Sequence, residues 1–173
     1  MATATNTLTQ RATANPGSVR SVTGFTRPAD TTAYAAHDVI YESDSAPEAG
    51  CLEFDSCGGA GTIIHVGVQM FDVEAADLDL LVFDAEPTNM LDNVAVAMVS
   101  SDINKLVGVF SLTSANKKLG STGLSLYETT DGRSMCYTSD NGALYGILVT
   151  RSAFTPASAT AFSAFLHLQI DDV

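Results

Sequence analysis

The stretch Thr62-Ile-Ile-His-Val-Gly-Val-Gln-Met-Phe71 decides the fold class. Ile64, Val66, Val68 and Met70 recur at every second position, with Ile63, His65, Gly67, Gln69 and Phe71 between them. Side chains alternate across a strand but repeat every ~3.6 residues around a helix. A period of two in a β-branched run is the mark of a strand with one buried face. Just upstream, Gly58-Gly59-Ala60-Gly61 has the look of a phosphate cradle. No Gly-Lys-Ser/Thr follows it and no helical pattern does, so it reads as a turn.

Outward from there the same grammar repeats. Leu78-Asp-Leu-Leu-Val-Phe-Asp84 alternates, with Leu78, Leu80 and Val82 on one side, and Pro87 closes it. Residues 36–42 and 51–55 read as short strands, separated by the turn formers Ser43, Asp44, Pro47 and Gly50. Residues 94–99 and 106–112 read as two more. Asp131-Gly132 and Asn141-Gly142 are favoured hairpin turns, and together they predict a three-stranded antiparallel meander over 123–151. The last strand runs from Ala161 to Ile170, with Phe162, Ala164, Leu166, Leu168 and Ile170 facing in. Single helical turns fit at Ala75–Asp77 and Ser114–Lys118. The sum is an all-β sandwich, jelly-roll-like, in one domain over 25–173.

Residues 1–24 are different. They carry Thr at 3, 5, 7 and 9 with few large apolar groups, Leu8 and Val19 among them. Ordering a residue costs roughly 1–2 kcal/mol of backbone entropy, and this segment has little apolar surface to offset it. It reads as a flexible N-terminal arm, with a core that stays folded when residues 1–22 are removed. Between arm and core lies Phe25-Thr-Arg-Pro-Ala-Asp-Thr-Thr-Ala-Tyr-Ala-Ala-His-Asp-Val-Ile40, read as a clasp built on Arg27, Pro28, Asp30, Tyr34 and Asp38. Pro28 has a locked φ and disfavours a helical conformation at Arg27. Asp30 can accept backbone N–H groups two or three residues on, turning the chain at Thr31-Thr32. Tyr34 can bury its ring while its hydroxyl stays bonded. Arg27 and Asp30 form either a positioned ion pair or two exposed charges of little consequence.

The net charge of −12, from 20 acidic against 8 basic residues, argues against nucleic acid as a partner, which calls for clustered Lys and Arg. No apolar run approaches the ~18 residues of a membrane span, and the N-terminus lacks the basic and apolar regions of a signal peptide. Cys51, Cys57 and Cys136 are too few for a disulfide framework and read as reduced thiols.

Three segments resemble a family of tailed-bacteriophage virion proteins. The first is Phe25 to Val39, with Phe-Thr-Arg-Pro-Ala-Asp-Thr at its head and Tyr34 and Asp38-Val39 behind. It departs from the family pattern at Ala36-His37, where a glycine is expected before the aspartate. The second is Asp77-Leu-Asp-Leu-Leu-Val-Phe-Asp-Ala-Glu-Pro87, with Asp92-Asn93 following. The third is Leu144-Tyr-Gly-Ile-Leu-Val-Thr-Arg-Ser-Ala-Phe-Thr-Pro156-Ala-Ser158 and the closing strand. The resemblance implies a β-sandwich virion protein, and within that class a capsid decoration (cement) protein. Such a protein is made in the host cytoplasm, carried on the capsid exterior as a homotrimer, and has the major capsid protein as its partner. The alternatives are a head-fibre, tail-fibre or baseplate component, or a carbohydrate-binding host-attachment module; the absence of Trp weakens the last.

No catalytic frame stands out. His37, His65 and His167 are scattered, with no Gly-x-Ser-x-Gly elbow or His-Glu-x-x-His motif beside them. Asp72, Glu74, Asp77 and Asp79 could gather round a hard cation, but their spacing matches no EF-hand. Cys51 and Cys57 lack the partners zinc needs. The expectation is no enzyme, no cofactor and no metal, with Phe71 and Phe165 facing outward as candidate interface residues.

Overall fold

In a computed structural model, the residues described are 10–11, 17–44, 50–71, 76–113, 115, 117–121, 124–129, 134–157 and 159–171. They form two antiparallel sheets packed face to face. The strands are β1 (Gln10–Arg11), β2 (Ser18–Thr26), β3 (Val39–Ile40), β4 (Leu52–Phe54), β5 (Ala60–Met70), β6 (Leu78–Phe83), β7 (Leu106–Leu112), β8 (Lys117–Ser121), β9 (Leu124–Glu128), β10 (Met135–Thr138), β11 (Leu144–Thr150) and β12 (Ala161–Ile170). One short helix, α1 (Ser100–Ile103), precedes β7. The first sheet runs β1-β2-β12-β5-β9-β8, with β10 also on β5; the second runs β3-β11-β6-β7, with β4 also on β11. All-β architecture follows from the alternating runs, as expected.

Each sheet is organised around one long strand. β5 has β12 along one side and shares its other side between β9, at Gly67–Met70, and β10, at Ala60–Ile63. β11 has β6 along one side and splits the other between β3 and β4. Between the sheets, Val66, Val68, Met70, Phe162, Leu166 and Leu168 meet Ile40, Leu52, Phe54, Leu78, Leu80 and Leu148 in one core. Every residue of β11 is buried. Its inner face joins that core. Its outer face, Tyr145, Ile147 and Val149, packs with Leu81, Phe83 and Val39 under Met90, Val96 and Met98. Those three come from the long connection 84–105. Asp102 pins this cover: its buried carboxylate accepts the N–H of Thr88 at 3.0 Å and of Val99 at 3.4 Å, and Lys105 stands 3.6 Å away.

Several expectations need correction. β5 does not keep one period throughout. His167 pairs with His65 but Leu168 pairs with Ile63, so Ile64 is the extra residue of a bulge. The bulge flips the parity: Ile63 is fully buried and Ile64 is exposed. The meander does not form. β10 pairs with β5 in the first sheet while β11 lies in the second, so the chain crosses between sheets at Asn141-Gly142. There Asn141 Oδ1 accepts the N–H of Ala143 and the hydroxyl of Ser139, and Gly142 takes a φ of 75°. The Asn-Gly signal is a turn signal, and a turn does not oblige its flanks to pair. Asp131-Gly132 lies outside the described residues. The strand expected at 94–99 reduces to a single bridge, Asp38 with Ala95.

The boundary of the arm also moves. Residues 18–24 belong to β2, which is paired with β12 from Ser18–Gln169 to Thr26–Ala161. Val19, Ser21, Thr23 and Phe25 alternate inward. The apolar content of 18–24 is modest, but backbone pairing along a full-length neighbour compensates for it. Residues 10–11 of the expected arm form β1, paired antiparallel with β2 at Arg20 and Val19, and residues 1–9 and 12–16 lie outside the described residues.

Phe165 was expected to face outward. It does lie on the outer face of the first sheet, yet it is only 4% exposed. The tip of its ring lies against Gly67, its cross-strand partner, where a Cβ would stand only 2.1 Å from the ring Cζ. Gly67→Ala should therefore destabilise the protein by about 1–3 kcal/mol, the usual cost of overpacking. In Gly67→Ala/Phe165→Leu, where the flat ring is gone, part of that loss should return. Urea denaturation of the two variants and of Phe165→Leu measures both numbers.

Candidate functional site

The clasp residues meet in a buried polar knot at one end of the sandwich. The Arg27 side chain is fully buried. Its Nε donates to the Tyr34 hydroxyl at 2.9 Å, its Nη1 to the Asp30 carbonyl at 2.6 Å and to the Ala157 carbonyl at 3.4 Å, and its Nη2 to Asp30 Oδ1 at 3.0 Å. Of the two readings for Arg27 and Asp30, the positioned ion pair is the one the structure holds. Asp30 Oδ1 also accepts the N–H of Thr32 at 2.8 Å, the turn its side chain was expected to make. The Thr32 and Arg27 bonds hold its carboxyl below the ordinary range.

Tyr34 is 1% exposed and stacks on Phe154 at 5.1 Å between centroids. Its hydroxyl accepts from Arg27 and donates to Asp92 Oδ1 at 2.6 Å. Asp92 Oδ1 takes the Tyr41 N–H at 2.8 Å as well, and Asp92 Oδ2 stands 3.8 Å from Arg27 Nη2. Burial pushes the Asp92 carboxyl up from its ordinary value, against those donors. Burial pulls the Arg27 guanidinium down, but its bonds to Tyr34 and Asp30 and the Asp92 charge outweigh that and hold it above its ordinary value. Asp38 adds a second layer. Its Oδ2 accepts the Ala35 N–H at 2.6 Å, and its own N–H donates to Thr150 Oγ1 at 3.0 Å. Thr150 in turn donates to the Ala35 carbonyl at 2.6 Å. Pro28 contributes its carbonyl, which accepts the Asp30 N–H at 2.9 Å.

The knot thus joins residues far apart in the chain: 27–38, 92 and 150–157. Asp92, Thr150 and Phe154 were not singled out as clasp partners. Thr150 and Phe154 lie within the third resembling segment and Asp92 directly follows the second, which was the available signal for them. His37 stands where that pattern has glycine, and it takes a φ of 73°, the left-handed region glycine enters freely. The backbone turn is therefore made without the glycine. It also cuts the strand expected at 36–42 down to β3.

The remaining candidates fall elsewhere. Asp72 and Glu74 lie outside the described residues. Asp79 bonds Ser111 at 2.7 Å and Arg151 at 3.3 Å, an arrangement that holds β6, β7 and β11 together at one end. Among the described residues no group of three or more His, Cys, Asp and Glu is placed to hold a metal ion. Burial pushes the Cys51 and Cys57 thiols up to about 12, so neither offers a thiolate at neutral pH. A crevice of about 360 Å³ opens between β2 and β4, lined by Phe25 and Tyr41 and by Glu42, Glu53 and Asp55. On the outer face of the first sheet, His65 and His167 stand 5.5 Å apart beside Phe165, and Glu128 lies 3.6 Å from His65. Among the described residues no helix is long and apolar enough to cross a membrane. No protein-family model matches the chain, and no characterised protein matches it.

Two outcomes follow from the knot. Arg27→Met leaves a buried carboxylate facing an apolar chain and should cost about 3–5 kcal/mol at neutral pH; adding Asp92→Asn should recover part of it. The pH dependence has a definite sign. Asp92 titrates above its unfolded value of 3.8, so the folded state holds the extra proton and stability falls as pH rises through that window. Removing Arg27 extends the window upward, so the deficit of Arg27→Met should shrink on acidification; urea titrations across the acid range read this directly. His37→Gly should relieve the left-handed strain, less the entropy a glycine adds to the unfolded chain. The net gain is up to about 1 kcal/mol, whereas His37→Val should lose stability in the same assay.

Proposed function

We propose that the chain is a structural protein of a tailed-phage virion, a capsid decoration protein that binds the outside of the head and stabilises it through added interfaces. The observation that carries this reading is the convergence of the three resembling segments. Residues 27–38, the aspartate after the second segment, and Thr150 with Phe154 in the third are separated in sequence but interlock in one buried network. A resemblance spread over three separate segments is more telling when those segments prove to be parts of one physical device. The two-sheet sandwich agrees with it, and we read its strand order as jelly-roll-like.

On this reading the protein works by contact and not by chemistry. A standard specific interface buries roughly 1,600 Å² in total, and an oligomer gripping several capsid subunits gains avidity. We read the oligomer as a trimer. Among the described residues, the large apolar side chains exposed for its contacts are Phe71, at 49% exposed, Ile64 on β5, Val109 on β7, and Val94, Val99 and Ile103 on the cover of the second sheet. The residues before β2 are read as the segment that reaches the major capsid protein, with β2 itself retained in the core.

The test is made on particles. Heads lacking the protein should assemble, carry DNA, and release it at a lower temperature than complete heads, and adding back the purified chain should restore the release temperature. A chain starting at Gly17 should keep its melting profile close to that of the full chain but bind depleted heads more weakly. Identical release profiles for depleted and complete heads would end the cement reading, and a few copies per virion instead of hundreds would move the protein to the tail.

A further inference from the structure

The outer face of the first sheet crowds basic side chains onto one rung. Arg20 on β2 pairs directly with His167 on β12, and His167 pairs directly with His65 on β5. Three adjacent strands thus present three basic side chains on one rung, with neighbouring strands about 4.8 Å apart. Like charges placed directly opposite one another are destabilising. The chain has 8 Lys and Arg and 3 His against 20 acidic residues, so crowding basic groups is not forced by composition. Phe165 holds the group together: the Arg20 guanidinium lies 4.3 Å from its ring centroid, and the rings of His65 and His167 lie 6.0 and 5.6 Å away.

The two ends of the rung differ. His65 has an acidic neighbour, Glu128 on β9, at 3.6 Å. Arg20 has none among the described residues, and its Nε is buried with no hydrogen-bond partner. On its far side the residue in register is Gln10 of β1, which is uncharged. The neighbouring cation Arg11 is in register with Val19, one position along. A buried guanidinium N–H left unbonded forfeits a charge-assisted hydrogen bond, among the strongest a protein makes.

We propose that the rung Arg20–His167–His65 is a docking site for a carboxylate, an Asp or Glu side chain of a partner protein, seated at the Arg20–His167 end and held more tightly in acid. Glu128 at His65 shows that the rung accepts a carboxylate at its other end. A guanidinium fork matches a carboxylate in shape. The overall charge of −12 disfavours a polyanion, but charges beyond about 8 Å are screened at physiological salt, so a single carboxylate at contact range is admitted. The groups facing His167 are Arg20 from β2, His65 from β5 and, through His65, Glu128 from β9. Burial, then His65 and Arg20, pull the His167 imidazolium down from its ordinary value. A bound carboxylate favours the charged imidazole, so binding and protonation reinforce each other by linkage. The site does not depend on the capsid reading.

The test uses the full chain labelled with 15N at His and Arg, titrated with sodium succinate at constant ionic strength near pH 5.5 and near pH 8. A saturable shift of the Arg20 Nε–H and the His167 ring is expected, with an affinity about tenfold higher in acid, one pKa unit of coupling. Arg20→Gln should abolish the saturable shift with the rest of the spectrum intact. His167→Gln should keep binding but flatten its pH dependence. A linear, non-saturating response overturns the proposal, as does one that survives Arg20→Gln or one equal in strength at the two pH values. Succinate is a stand-in for the acidic side chain. An inorganic phosphate titration that binds more tightly than succinate would likewise overturn the assignment of a carboxylate.

Discussion

A guanidinium cannot be deprotonated and cannot be left unsolvated, so a buried arginine dictates what surrounds it. Arg27 is that constraint here. Four donor contacts, to Tyr34, Asp30 twice and Ala157, replace water, and Asp92 brings the opposite charge to 3.8 Å. Each partner is positioned in turn by something else: Tyr34 by the Phe154 ring, Asp92 by the Tyr41 N–H, Asp30 by Thr32. The end of the sandwich where β2 leaves and β3 begins is therefore determined by hydrogen-bond valence more than by apolar packing. The core between the sheets would tolerate exchange of one aliphatic side chain for another of similar volume. The knot would not tolerate loss of any one member in the same way, because the others would be left buried and unpaired.

The second sheet solves a different problem. β11 is apolar on both faces, and a two-layer sandwich covers only one. The connection 84–105 supplies the missing layer with Met90, Val96 and Met98. Its own backbone is tied down by Asp102, whose carboxyl is buried yet held below the ordinary range: burial would raise it, but the Thr88 and Val99 N–H groups and Lys105 prevail. Asp92 sits within this same connection. One segment thus covers the second core and contributes the counter-charge to the clasp, so the two features are mechanically coupled.

What could be read from the residues follows from how local the information is. The alternation in 62–71 and 161–170 is local, and it returned the strands. The bulge at Ile64 is not, because it depends on which residue of β12 lies opposite, and alternation alone predicts the wrong face for Ile63 and Ile64. Asn141-Gly142 announced a turn, and a turn forms; that the next strand joins the other sheet is set by the apolar run Leu144–Thr150, which needs cover on both faces. In the clasp, Pro28 and Asp30 act through neighbours a few residues away and were legible; Tyr34 was legible as a buried ring with a bonded hydroxyl, but its partners Phe154 and Asp92 lie far along the chain. Asp92 lies 58 residues from Tyr34, just after a resembling segment, and nothing local marks it as the counter-ion. The inclusion of 18–24 in β2 was hidden for the same reason, since that strand's stability comes from pairing with β12.

A buried ion pair is weak evidence for stability, because desolvation takes back most of what the charges return. What the Arg27–Asp92–Tyr34 knot does supply is a single arrangement. An apolar plug could fill the same volume in several rotamers and would let the turns around 30–38, 92–96 and 154–157 shift relative to one another. The knot admits one donor–acceptor assignment, and it carries a left-handed His37 and a strand cut down to Val39–Ile40 to keep it. An apolar plug would leave those turns free of this constraint, so what the buried charges contribute is the mutual placement of the turns more than their stability.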